Sequence, residues 1–121
     1  EIPLSALRAQ LASAVDMIVQ TARLRDGSRC VTHITEVCGY DPARGYHLED
    51  VFVRRYHGED EKGRVVSTFE ATGYIPHCTE TIKGYGLDIP PLIYHMAQQR
   101  AAQGLPPLGG PRPEGGGHGG H

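Results

Sequence analysis

The sequence predicts an α+β domain, with an N-terminal helix, an antiparallel β-meander and short C-terminal helices, and three observations carry that prediction. Apolar residues recur at helical spacing near the start, in Leu4, Leu7, Leu11, Val15 and Ile18. Four runs rich in β-branched and aromatic residues then follow, separated by Gly-containing turn clusters. Half of the 16 glycines and four of the nine prolines sit within residues 104–121. Residues 1–103 are therefore expected to hold the folded part and 104–121 a disordered Gly/Pro-rich tail, too poor in apolar surface to offset ordering entropy.

Residues 4 to about 16 read as an amphipathic helix, with Arg8, Gln10 and Ser13 between the apolar positions and Pro3 where a first turn tolerates it. Met17 to Leu24 and Cys30 to Val37 are β-branched runs on either side of Asp26-Gly27. That pair predicts an antiparallel hairpin with a tight primed turn, because Gly supplies positive φ. Gly39 to Gly45 is a turn cluster, and Tyr46 to Tyr56 a third strand. Strict alternation would put Leu48, Asp50, Phe52 and Arg54 on one face and Val51 and Val53 on the other. His57 to Arg64 reads as a charged loop and Val65 to Thr72 as a fourth strand. Residues 77–85 suggest a short helix ended by Gly84 or Gly86, and Pro90-Pro91 opens another through Arg100, with Gly104 as its stop.

At 121 residues the chain has one domain's worth of sequence. Twelve Lys plus Arg against 14 Asp plus Glu, interspersed, give a formal charge of -2, without the basic footprint of a nucleic-acid binder. No apolar run approaches the roughly 18 residues of a membrane span, and no signal peptide is evident, so a cytosolic setting is expected. Three cysteines, an odd number, are expected to be reduced. The chain opens on Glu1 rather than Met, and upstream sequence is expected to be missing.

Few motifs survive comparison with their plain readings. Gly58-x4-Gly63 has phosphate-loop spacing, but Arg64-Val65 stands where Lys and Ser/Thr belong, and Glu59, Asp60 and Glu61 would repel a polyphosphate. The set Cys30, His33, Cys38, His77 and Cys78 invites a zinc reading, yet it contains no C-x2-C pair. Were Cys30 and Cys38 on one continuous strand, they would lie about 26 Å apart at about 3.3 Å per residue, so structural thiols and no metal site are expected. His118 and His121 offer at most adventitious chelation. Glu49 and Asp50 are expected to face opposite ways and so cannot form an acid/base pair. No catalytic and no cofactor-binding residue is assigned. Arg23, Arg25 and Arg29 cluster at the hairpin tip, and they are the candidates for contact with a neighbouring subunit or a ligand phosphate, against the plain reading of a solvated turn.

The order of residues carries a further signal. Leu7-Arg8-x-Gln10-Leu11-Ala12-Ser13-Ala14-Val15-Asp16-Met17-Ile18-Val19-Gln20, then Arg23-Leu24-Arg25-Asp26-Gly27-Ser28-Arg29, then Val31-Thr32-His33-Ile34-Thr35-Glu36-Val37 closely resembles the C-terminal part of the CpaF-type secretion ATPases. His47 to Val53, Phe69-x-Ala71-Thr72-Gly73-Tyr74-Ile75-Pro76 and Gly86-Leu87-Asp88-Ile89-Pro90 fit the same pattern. The resemblance spans residues 3 to about 91 and departs at Cys30, Cys38, the acidic loop at 59–61 and the tail.

These ATPases are the motors of Flp/tight-adherence pilus assembly within the type II/type IV secretion ATPase superfamily. The resemblance implies the C-terminal end of a RecA-like α/β domain. It also implies a homohexamer, cytoplasmic and peripheral to the bacterial inner membrane, that hydrolyses ATP with Mg²⁺ and works with an inner-membrane pilus or secretion platform protein. The nucleotide machinery would lie upstream of Glu1, leaving this portion without cofactor and inactive alone. Composition equally allows a free-standing small β-meander that binds a protein partner and has no enzymatic activity.

Overall fold

The computed structural model describes residues 3–109. Helix α1 (Leu4–Ala14) leads into four strands, β1 (Met17–Arg23), β2 (Arg29–Asp41), β3 (Gly45–Glu59) and β4 (Val65–Ala71), followed by helices α2 (Thr79–Gly84) and α3 (Pro91–Ala102). The strands form one antiparallel sheet in sequential order, so the fold is the α+β meander expected from the sequence. β1 and β4 are its edges.

Helix α1 stops at Ala14 rather than near residue 16, because β-branched Val15 is already extended, with φ −106° and ψ 124°. β2 and β3 run further than composition suggested. The turn clusters there are mostly strand, narrowed to residues 42–44 and 60–64. Tyr40 and Tyr46, paired beside the β2–β3 turn, bring their rings to 4.9 Å.

The β1–β2 turn differs from the primed form. The Gly27 N–H donates to the Leu24 carbonyl at 2.9 Å and the Leu24 N–H to the Ser28 carbonyl at 2.7 Å. Gly27 has φ 89°, while no non-Gly residue among those described has positive φ, so Asp26 cannot take the conformation a type I′ turn requires of it. The result is a turn followed by a single left-handed glycine, which gives the hairpin one more residue to bend through.

A second correction concerns β3. Ile34 pairs with Phe52, yet its neighbour Thr35 pairs with Asp50, so Val51 is an extra residue in the strand. Such a bulge breaks strict alternation. Val51 and Phe52 both pack into the core cluster instead of facing opposite ways, while Val53 is buried outside that cluster. Glu49 and Asp50, ahead of the bulge, do take separate partners, His47 Nε2 at 2.6 Å and Thr35 Oγ1 at 2.7 Å.

The core lies between the sheet and the C-terminal segment, built from Val51, Ala71, Tyr74, Ile89 and Ile93. Leu108 packs against it, so the chain to residue 109 returns along the domain; residues 110–121 lie outside the described part. Close packing between the post-β4 segment and α3 depends on Gly73, which has φ 97°. A Cβ there would lie 2.7 Å from Arg100 Cδ and 3.2 Å from the Met96 carbonyl oxygen. Tyr94 ties α2 to α3: its hydroxyl donates to Asp88 Oδ1 at 2.8 Å, and Lys83 Nζ sits 5.5 Å from its ring centroid. No helix among the described residues is long and apolar enough to cross a membrane.

Helix α1 lies against β2 but buries no residue. Its Leu4, Leu7 and Leu11 remain 59%, 46% and 55% exposed, and Ile18 and Val19 of the adjoining edge strand are exposed as well.

Candidate functional site

The most concentrated polar chemistry in the described residues surrounds Glu36, at 4% exposure a carboxylate taken almost wholly out of water. Period two on β2 places Glu36 in a row with Ile34, opposite Met17 of β1, and so turns it toward the core. A buried carboxylate is costly unless its oxygens are bonded, and the segment after β4 supplies the donors. The Tyr74 hydroxyl and the His77 N–H (2.9 Å) donate to Oε1, and the Cys78 N–H donates to Oε2 at 3.1 Å. Pro76, buried between them, opens the turn into α2, its carbonyl accepting the Thr79 N–H at 3.1 Å.

Two sulfurs adjoin the carboxylate. Cys38 Sγ lies 3.3 Å from the Tyr74 hydroxyl oxygen and 3.9 Å from Glu36 Oε1. Because the phenolic proton is given to Glu36, the thiol is the donor in the Cys38–Tyr74 contact. Burial pushes the Cys38 thiol up, reinforced by the charges of Glu36 and Glu49. Burial and then Glu36 raise Cys78 likewise, and burial together with the bonds to Cys38 and Glu36 holds the Tyr74 phenol far above its ordinary range. Neither thiol is a ready nucleophile, since reactivity needs a thiolate and both environments oppose it.

The structure brings together part of the Cys/His set read from the sequence. Cys38 and His77 converge with Glu36, their ligating atoms within 4.8 Å of one another. Cys30 sits toward the other end of β2 opposite Ala22, and His33 Nδ1 engages Thr32 Oγ1 at 3.0 Å. Sequence reasoning missed Glu36. An available signal was a carboxylate between Ile34 and Cys38 in an apolar row, but its partners lie 38 to 42 residues downstream.

The arginine cluster is an exposed tip. Arg23 and Arg29 face each other across β1 and β2, Arg23 Nε donates to the Gly27 carbonyl at 3.4 Å, and Arg25 pairs with Glu59 at 3.4 Å. Like charges directly opposite are mildly destabilising, so Arg23 and Arg29 are the members with most to gain from an anionic neighbour. In the Gly58-x4-Gly63 loop, the Lys62 and Arg64 N–H groups are both bonded to Asp60 Oδ1 at 2.9 Å. An aspartate occupies the donors that a phosphate would need.

A cleft of about 290 Å³ between α3 and the segment after β4 is walled by Ile75, Ala97, Leu105 and Leu108, with Arg100 as the ionisable residue in its lining. It lacks convergent polar groups. No protein-family model matches the chain, and no curated protein matches it.

Proposed function

We infer that this chain is the C-terminal portion of a hexameric, RecA-like ATPase that powers pilus assembly or protein secretion, as its resemblance to the CpaF-type motors implies. The observation that supports this reading is the bare apolar stripe Leu4, Leu7 and Leu11 on α1, with Ile18 and Val19 of edge strand β1 exposed as well. An uncovered apolar helix beside a sheet edge that is open on one side suits a piece whose covering layer belongs to another part of the same protein. On this reading ATP and Mg²⁺ are bound by that other part, since the chain has no G-x4-G-K-[Ser/Thr] loop. Arg23 and Arg29 would then meet a neighbouring subunit, and the assembled ring an inner-membrane platform protein.

A free-standing protein-binding meander is the rival, and it draws on one observation: Val51, Ala71, Tyr74, Ile89 and Ile93 close a core within the chain. The coding sequence upstream of Glu1 decides between them. An open frame carrying the phosphate loop, whose product hydrolyses ATP and loses that activity when residues 1–109 are deleted, supports the motor. An in-frame start adjacent to Glu1, with a chain that binds no nucleotide, supports the module.

A further inference from the structure

We propose that Glu36, Cys38 and His77 form a binding site for a single divalent transition-metal ion, with zinc the best fit, independent of the motor reading. The three side chains offer carboxylate, thiolate and imidazole, a donor set that suits zinc and disfavours magnesium or calcium. Zinc bond lengths of about 2.0–2.3 Å at tetrahedral angles put donor atoms about 3.3–3.6 Å apart. Here Glu36 Oε1 is 3.9 Å from Cys38 Sγ and 4.0 Å from His77 Nδ1, and all three ligating atoms fall within 4.8 Å. The gaps to His77 close by a modest swing of that side chain, 67% exposed at the rim of the site, and the Oε1–Sγ separation has only slightly further to shorten.

The surroundings favour the ion in two ways. Among the described residues, His77 is the one group that can become cationic within 4.0 Å of Glu36, so a buried carboxylate lacks a permanent positive neighbour. The bonds from Tyr74, the His77 N–H and the Cys78 N–H fix the orientation of the carboxylate, as outer partners of metal ligands do. Cys38 would bind as thiolate, its proton released to solvent. Three protein ligands leave a fourth position for water or for a group on a partner.

The test is zinc titration of the full chain against a chromogenic chelator, in a background carrying His118→Ala and His121→Ala to remove chelation by the tail, followed by cobalt substitution. The expected result is one zinc per chain, weakened at least tenfold by Cys38→Ser and by His77→Ala, and a thiolate-to-cobalt absorption band lost in Cys38→Ser but kept in Cys30→Ser. His77→Ala retains the backbone N–H that bonds Glu36, so it reads the ligand without dismantling the segment. No stoichiometric binding, equal affinity in both variants, or a band abolished by Cys78→Ser and retained in Cys38→Ser would overturn the assignment.

Discussion

Asp26, in the turn between β1 and β2, accepts the backbone N–H of Val65 at 2.7 Å through Oδ2, and so joins the first hairpin tip to the first residue of the last strand. Its other oxygen accepts the Ser28 N–H and hydroxyl. One carboxylate thereby holds two hairpin ends that lie side by side only because the meander folds back on itself.

Those donors, the Ser28 hydroxyl foremost and the Val65 and Ser28 N–H groups after it, lower Asp26 from an ordinary 3.8 to about 2. A group depressed on folding contributes stability that is present above its unfolded value and is lost as pH falls through the folded one. Thermal stability should therefore fall between about pH 4 and pH 2, and Asp26→Asn should flatten that part of the profile while lowering the plateau above it. Asp60 is depressed by its bonds to Arg64 and Lys62 and acts in the same direction, so the comparison of wild type with Asp26→Asn across the window is the informative one. Superimposable profiles would show that the bridge to Val65 does not form in solution.

Much of this fold was legible because its determinants are local. Asp26-Gly27 and Lys62-Gly63 mark turns whatever the rest of the chain does, and β-branched runs between them have few alternatives to a meander. The bulge at Val51 was not legible, since one extra residue in a strand leaves no compositional mark and appears only as a skipped pairing with β2. In the sequence Glu36 is marked only as a polar residue within the Cys30 to Val37 run. Its meaning comes from Tyr74, His77 and Cys78, which reach it through the tertiary fold. Local propensity locates β2 but does not say what covers it.

Two glycines allow conformational strain to be separated from crowding. At Gly27 a Cβ would meet nothing within 4 Å, so Gly27→Val suffers mainly from placing a β-branched residue at φ 89° and should cost on the order of 1–2 kcal/mol. At Gly73 the positive φ is joined by contact with Arg100 and the Met96 backbone, and the smaller change Gly73→Ala should cost more, roughly 2–4 kcal/mol. Chemical denaturation of both variants checks the order. A Gly73→Ala chain as stable as wild type would mean that α3 does not pack on this segment as described.

The Glu36–Tyr74 pair predicts strong coupling. Tyr74→Phe keeps a ring that is 1% exposed but leaves Glu36 short of a donor, at a cost of about 1–3 kcal/mol. Glu36→Gln leaves the Tyr74 hydroxyl an acceptor but turns one carboxylate oxygen into an NH₂ facing backbone N–H donors. Because both changes strike one network, the double variant should be clearly less destabilised than the sum of the single ones, with a coupling of about 0.5–3 kcal/mol. Additive losses in a double-mutant cycle would show that the hydroxyl and the carboxylate act separately.

The stripe on α1 gives the last prediction. Leu4, Leu7 and Leu11 all face solvent, and each apolar side chain removed from water is worth roughly 1.5–3 kcal/mol at about 25 cal/mol per Å². Since each is only about half exposed, covering all three would contribute roughly 2–5 kcal/mol, a large fraction of the about 5–15 kcal/mol that ordinarily stabilises a small domain. The chain alone should therefore self-associate or aggregate in sedimentation experiments, and more so with rising salt, which screens charge repulsion without weakening apolar contacts. Leu7→Glu with Leu11→Glu should restore a monomer with at most a modest fall in melting temperature, since both side chains are about half exposed and neither belongs to the core cluster. Were the stripe instead to pack on the sheet in solution, the same pair of substitutions would lower the melting temperature sharply and leave an already monomeric wild type without any association to relieve.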